Sequence, residues 1–279
     1  MINSSFPSLF AGHGAPTMVL DPGPAGAALA RVAADLPRPR AILVVSAHWQ
    51  SEAPTVGVAP DFETIHDFSG FPAALYRVRY PARSDPGVAE EARRLLGEDG
   101  FDVRVDCSRG LDHGAWTPLR LMYPAADIPV VPVSLLSGVG PEPHFRLGRA
   151  LAPLLADGVL LLASGNLTHN LADFRGAPVA GGETPAYVSE FAEWMWRHLA
   201  IGDQRSLLGY RQQAPHAARA HPSEEHLLPL YVALGAAGAG CRPERLYAGI
   251  DSGVLAMDSF AFWPATSEHA QDHQSQSVR

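Results

Sequence analysis

Hydrophobic positions along this chain come in two alternating forms. Short runs dense in aliphatic and β-branched residues, such as AILVVSA at Ala41–Ala47 and VLLLA at Val159–Ala163, alternate with longer amphipathic stretches. That alternation predicts an α/β sheet. Predicted strands are Ser8–Ala11, Ala41–Ala47, Thr55–Ala59, Asp102–Val105, Pro129–Leu135, Val159–Ala163, Arg245–Gly249 and Val254–Phe262. Predicted helices are Ala25–Leu36, Pro86–Leu96, Thr117–Tyr123, Phe145–Leu155, Ala186–Ala200 and Glu224–Leu234. The central runs are apolar almost without interruption, as expected of strands covered on both faces. Gly176–Thr184 reads as a glycine-rich loop and Pro215–Pro222 as an exposed connection. No repeat or composition shift divides the chain, so residues 1–265 are expected to form one domain. Residues 266–279 are polar and aperiodic, a tail expected to fray, with His269 and His273 inert in it.

The candidate chemistry follows from where the predicted strands end. His13 follows SLFAG, His48 follows AILVVSA and His169 follows VLLLASGNLT. Ligands of open α/β sheets bind at the carboxyl ends of the strands, and packing alone does not call for three imidazoles at that edge. Gly12 and Gly14 flank His13 and permit a tight turn, and Ser164–Asn166 end a buried run with small polar residues. Trp49 either walls a pocket beside His48 or caps the sheet edge. A fourth histidine, His226, lies in AHPSEEHLLPL, where Ser223 is expected to cap a helix, His221 to sit in the preceding loop and Glu224 and Glu225 to fill the first turn. Imidazole with carboxylate suits zinc, iron, nickel or copper, and two histidines with one carboxylate suit non-haem Fe(II). TIHDFSGFP holds His66 and Asp67, read as a hydrogen-bonded pair, and GLDHGAWTPL holds Asp112, His113 and Trp116. A loop histidine beside glycine and aromatic residues is a candidate for substrate contact. His144, His198 and His216 have no such surroundings and are expected at the surface.

Composition narrows the field. All 21 basic residues are arginine, which removes a Schiff-base lysine, a pyridoxal-phosphate anchor and a P-loop lysine together. A net charge of -8 with no arginine cluster argues against a nucleic-acid surface. No apolar run approaches the roughly 18 residues of a membrane span, and the N-terminus lacks the charged and apolar regions of a signal peptide. Cys107 and Cys241 show no CxxC pattern, which fits a reducing cytoplasm.

Six segments, GHGAP, SAHW, TIHDFSGFPAALY, GLDHGAWTPLRLMYP, ASGNLTHNL and HPSEEHLLPLYVALGAAG, together resemble one family. They match, in order and across nearly the whole chain, the class III extradiol ring-cleavage dioxygenases of the DOPA 4,5-dioxygenase type, relatives of the protocatechuate 4,5-dioxygenase catalytic subunit. The resemblance implies a single α/β domain with a largely parallel sheet flanked by helices and a divalent metal at the strand carboxyl edge. That metal is Fe(II) in catalysis, with Zn(II) a possible occupant after purification. It implies His13 and His48 as metal ligands and His226 as the third. The wider superfamily places a glutamate at the third position, so Glu225 is the alternative. His169 is implied beside the metal as the acid–base residue, although some relatives use it as a ligand, and His113 as a contact to oxygen or substrate. His66, Trp49 and Trp116 are the expected substrate contacts. The partners implied are a catechol and O2, for a monomer or small homo-oligomer. Two other readings of the same histidines are a zinc hydrolase and a metal-binding protein without turnover.

Overall fold

A computed structural model describes residues 5–176 and 184–265. The fold is built on a six-stranded sheet of β1 (Ser8–Gly12), β2 (Ala41–Ser46), β3 (Val130–Pro132), β4 (Val159–Gly165), β5 (Arg242–Tyr247) and β6 (Ser259–Trp263). Across the sheet the order is β3, β2, β4, β1, β6, β5. The first four strands are mutually parallel, β6 runs antiparallel to β1, and β5 at the edge runs antiparallel to β6. Every residue of β1, β2 and β4 is buried, which is why their sequences read as continuous apolar runs rather than alternating ones. Helix α6 (Leu228–Ala237) lies against β4 and β1 and packs closely with α4 (Pro141–Leu151), while α3 (His113–Met122) lies against β2 and β4 and packs with α1 (Gly23–Asp35). Two further helices, α2 (Pro86–Glu98) and α5 (Ala186–Ala200), complete the flanks.

Register fixes the site. Gly12 pairs with Gly165 and Ser46 with Ser164, so the carboxyl ends of β1, β2 and β4 finish level with one another. His13, His48 and His169 therefore leave the sheet on the same edge, as their sequence positions indicate.

Several expectations need correction. The predicted helix Glu224–Leu234 begins at Leu228. Pro229 has no N–H to give and is tolerated only in the first turn, so the helix starts next to it, and Ser223 bonds the Glu225 side chain instead of capping. The predicted helix Thr117–Tyr123 begins earlier, at His113, with Asp112 as N-cap accepting from the Ala115 N–H. Phe145–Leu155 is interrupted at Ala152, ahead of Pro153. The predicted strand Val254–Phe262 is two strands, Leu255–Ala256 and β6, separated where Asp258 turns in to meet Arg245. Thr55–Gly57 and Arg104–Asp106 pair with each other outside the central sheet. Pro215–Pro222 is not simply an exposed connection, since it contains a helical turn, Ala217–Ala220, with both ends buried. The glycine-rich stretch and the tail fall largely or wholly outside the described residues. Among the described residues no helix is long and apolar enough to cross a membrane.

Candidate active site

Five imidazoles gather at the carboxyl edge of the sheet. His13 and His48 face each other with their Nε2 atoms 3.3 Å apart. His226 stands with its ring centroid 5.5 Å from that of His13 and 4.9 Å from that of His48. His113 lies 4.0 Å from His48, and His169 stacks on His226 at 3.4 Å with the rings nearly parallel. His13, His48 and His113 offer ring nitrogens within 4.8 Å of one another, and His169, Glu225 and His226 form a second such group. The expected ligand set takes two residues from the first group and one from the second.

The strand-borne members are placed by the sheet, whereas the others arrive on loops stitched to it. Asn166 N–H donates to the His226 carbonyl (2.9 Å) and His169 N–H to the Ala220 carbonyl (2.9 Å), and His221 Nε2 meets the Leu167 carbonyl at 2.9 Å. Gly165 makes this approach possible: a Cβ there would stand 2.1 Å from the His226 carbonyl oxygen. Gly14, beyond His13, takes a φ of 55° and donates its N–H to the Asn166 side chain.

Three of the five rings are held from behind. His13 Nδ1 lies 2.9 Å from Ser164 Oγ, His226 Nδ1 lies 3.0 Å from Glu225 Oε1, and His113 Nδ1 lies 2.9 Å from Asp67 Oδ2. The carboxylates behind His113 and His226 accept from Nδ1, which fixes their tautomer, and all three contacts leave Nε2 as the working atom, as in histidines that bind metals. His226 Nε2 is buried and has no hydrogen-bond partner among the described residues. An orphaned buried nitrogen costs free energy unless something fills its lone pair. Two nitrogens bound to one ion at about 2.1 Å lie about 3.0–3.4 Å apart, and the His13–His48 separation of 3.3 Å matches this.

Electrostatics favour neutral rings. Burial, reinforced by the neighbouring imidazoles, holds His13 and His226 well below the usual histidine range. Burial lowers His48 to about 4, with His113 adding to the effect and Asp112 and Asp67 opposing it. His169 is lowered to about 4 by burial, against the pull of Glu225. Burial would raise Asp67, but hydrogen bonds and charge from His113 outweigh it and hold that carboxyl at about 2. Neutral imidazoles beside ionised carboxylates are the protonation states that a divalent metal requires.

Other expectations move. Asp67 pairs with His113 rather than with its neighbour His66, whose Nε2 meets the Val78 carbonyl at 3.2 Å. His66 stands one layer out, against Phe68, Tyr76 and Trp116, and Phe68 sets its edge to His113 at 5.7 Å. Trp116 is fully buried with its indole N–H donated to the Ile65 carbonyl, so it presents no face to a substrate and supports the loop instead. Trp49 is likewise buried, under the Arg109 guanidinium. His144 and His221 are both fully buried: His144 lies within α4 rather than at the surface, while His221 sits in the loop where it is expected, with its ring turned inward. The first bridges the Leu136 N–H and the Gly140 carbonyl. His198 is half-buried, stacked on Trp194, and His216 is exposed as expected. Ser164, Asp67 and Arg109 were not singled out as site residues. Asp112 explains why Arg109 is here: it draws that guanidinium to the His48 carbonyl and also accepts from Ser46 Oγ.

Residues 26–250 match the family model described as the catalytic LigB subunit of aromatic ring-opening dioxygenase. A 4,5-DOPA dioxygenase extradiol from Beta vulgaris is 40% identical over 259 residues, 91% of this chain and 96% of that protein. A protein of the same name from Escherichia coli K12 is 38% identical over 263 residues, 92% and 94% of the two chains. A crystal structure of an Escherichia coli K12 protein superposes with a TM-score of 0.75 at 33% identity, covering 92% of this chain and 99% of that one. The chain belongs to the LigB family of metal-dependent, extradiol ring-opening dioxygenases.

Proposed function

We propose that the chain is a non-haem Fe(II) dioxygenase that opens the ring of a catechol, a DOPA-like 3,4-dihydroxyphenyl compound, with O2 to give a ring-opened semialdehyde. The observation that carries this reading is the buried, unpartnered Nε2 of His226 beside the facing Nε2 atoms of His13 and His48. His13, His48 and His226 would hold the ion, and Glu225 stands behind His226 as its hydrogen-bond partner, not as the ligand. Bound Fe(II) would supply the redox link between the electron-rich ring and O2, which side chains alone lack.

The remaining work falls to the protein. His169, neutral because it is buried, accepts a proton from a catechol hydroxyl at a ring nitrogen and returns it when the ring opens. Its stacking on His226 keeps that nitrogen beside the ligand set. His113, with Nδ1 committed to Asp67, presents its Nε2 lone pair to the substrate, where it can accept from a catechol hydroxyl. Phe68, half-buried with its edge on His113, continues the wall toward His66 and offers an aromatic surface to a flat substrate. DOPA enters this proposal from the names of the relatives. The free thiols of Cys107 and Cys241 suit the reducing cytoplasm.

The test is anaerobic reconstitution with Fe(II), followed by oxygen uptake and visible absorbance across a catechol panel that includes DOPA. Stoichiometric uptake with a yellow product, absent in His169→Ala, supports the reading. No uptake with any catechol at verified iron occupancy contradicts it.

A further inference from the structure

The segments TIHDFSGFP and GLDHGAWTPL are interlocked. Leu111 N–H donates to the Glu63 carbonyl and the Leu111 carbonyl accepts from Ile65 N–H, both at 2.8 Å, forming a parallel bridge between Thr64 and Leu111. Gly110 allows the approach, since a Cβ there would stand 2.2 Å from the Glu63 oxygen. The Trp116 indole closes the lock by donating to the Ile65 carbonyl at 2.8 Å. This lock delivers Asp67 to the start of α3. There Oδ1 accepts the His113 backbone N–H at 2.9 Å and Oδ2 accepts from His113 Nδ1 at 2.9 Å. The same Oδ2 lies 3.6 Å from His48 Nδ1. A carboxylate is favourable at a helix N-terminus, but Asp112 already caps α3. The helix therefore leaves the Asp67 contact to the His113 ring unexplained.

We propose that Asp67 is the positioning residue of this site: its carboxylate fixes the ring orientation and the Nδ1–H tautomer of His113, and steadies His48 from the same oxygen. With the Nδ1 proton committed to Asp67, the Nε2 lone pair of His113 is left on the side of the other imidazoles. Asparagine has the same size and can keep the backbone bond through Oδ1. It then offers an N–H to Nδ1, which selects the opposite tautomer. The inference rests on the dioxygenase reading only for the use made of His113.

Two readouts test it. In the zinc-loaded protein, long-range proton–nitrogen NMR of the imidazoles should show His113 as the Nδ1–H tautomer, converted to Nε2–H in Asp67→Asn and restored in Asp67→Glu. In the Fe(II)-loaded enzyme, Asp67→Asn should lower kcat about 10–100-fold and leave KM within about threefold. Combined with His113→Gln it should do no more than the worse single change, because both act through one ring. Losses that multiply, or an Nδ1–H tautomer that survives in Asp67→Asn, overturn the proposal. If the wild type opens no ring, the dioxygenase reading fails while the NMR comparison still decides the role of Asp67. Should Asp67→Asn not fold, Asp67→Ser keeps an acceptor for the backbone N–H and carries the same readouts.

Discussion

The candidate active site has two halves that are built differently. His13, His48 and His169 follow the ends of three adjacent parallel strands, and the pairing of Gly12 with Gly165 and Ser46 with Ser164 sets their level. His113 and His226 come from segments outside the sheet, each brought in by backbone hydrogen bonds to another loop or strand end and each backed by a carboxylate, Asp67 or Glu225. Covered strands have one register available, because a slip would turn the apolar set the wrong way. Loops have no such constraint, so their imidazoles need separate devices: a close backbone approach at Gly165, an interlocked bridge at Leu111 and a carboxylate behind each ring. The strand-borne half supplies place, and the loop-borne half depends on orientation.

Breaking the strand-borne half should have the largest effect. His13→Ala or His48→Ala removes a proposed ligand and is expected to abolish stoichiometric metal binding and turnover, as measured by metal content per chain and oxygen uptake. Changing only the support of the loop-borne half should weaken binding without abolishing it. Glu225→Gln is expected to lower zinc affinity about 10–100-fold in chelator competition while keeping one ion per chain. A collapse like that of His13→Ala would instead make Glu225 the ligand.

The sheet-to-loop junction itself can be tested by stability. Gly165→Ala pushes a Cβ into the His226 carbonyl and should destabilise the fold by about 1–3 kcal/mol in denaturant unfolding. Gly97→Ala, in α2 with nothing near the added carbon, should stabilise it by about 0.5–1 kcal/mol. Equal effects at the two glycines would remove the argument for close approach.

The strand-borne half was legible in the sequence because an apolar run and the residue that follows it are contiguous. The loop-borne half was legible only in part. His113 and His226 could be marked through family resemblance, but their carboxylate partners could not be paired correctly. Asp67 looks like the partner of adjacent His66, yet its partner is His113, brought near by the bridge at Leu111. His144 and His221 gave no local sign of burial, because burial there comes from packing between elements far apart in the chain. The start of α6 was misplaced for a related reason. That helix is apolar on all sides, so no amphipathic edge marks where it begins.

A smaller effect follows from charge. His48 and His169 have folded values near 4, below the usual 6.5, so between those limits the unfolded chain binds protons that the folded site refuses. The metal-free protein should therefore lose stability as pH falls from about 6.5 toward about 4, a trend measurable by thermal unfolding. Asp67 acts lower: its contribution is present above its ordinary value near 3.8 and is lost as pH falls through about 2. Stability that rises as pH falls from 6.5 to 4 would contradict the neutral-imidazole description.

The central claim is that one ion is shared between the two halves, held by His13 and His48 from the strands and by His226 from the loop. Anomalous X-ray scattering from a crystal of the metal-loaded protein tests it most directly. The account predicts a single peak about 2.0–2.2 Å from Nε2 of all three histidines, with Glu225 still on His226 Nδ1. A peak bound by Glu225 in place of His226, or held by His13, His48 and His113 alone, would contradict it.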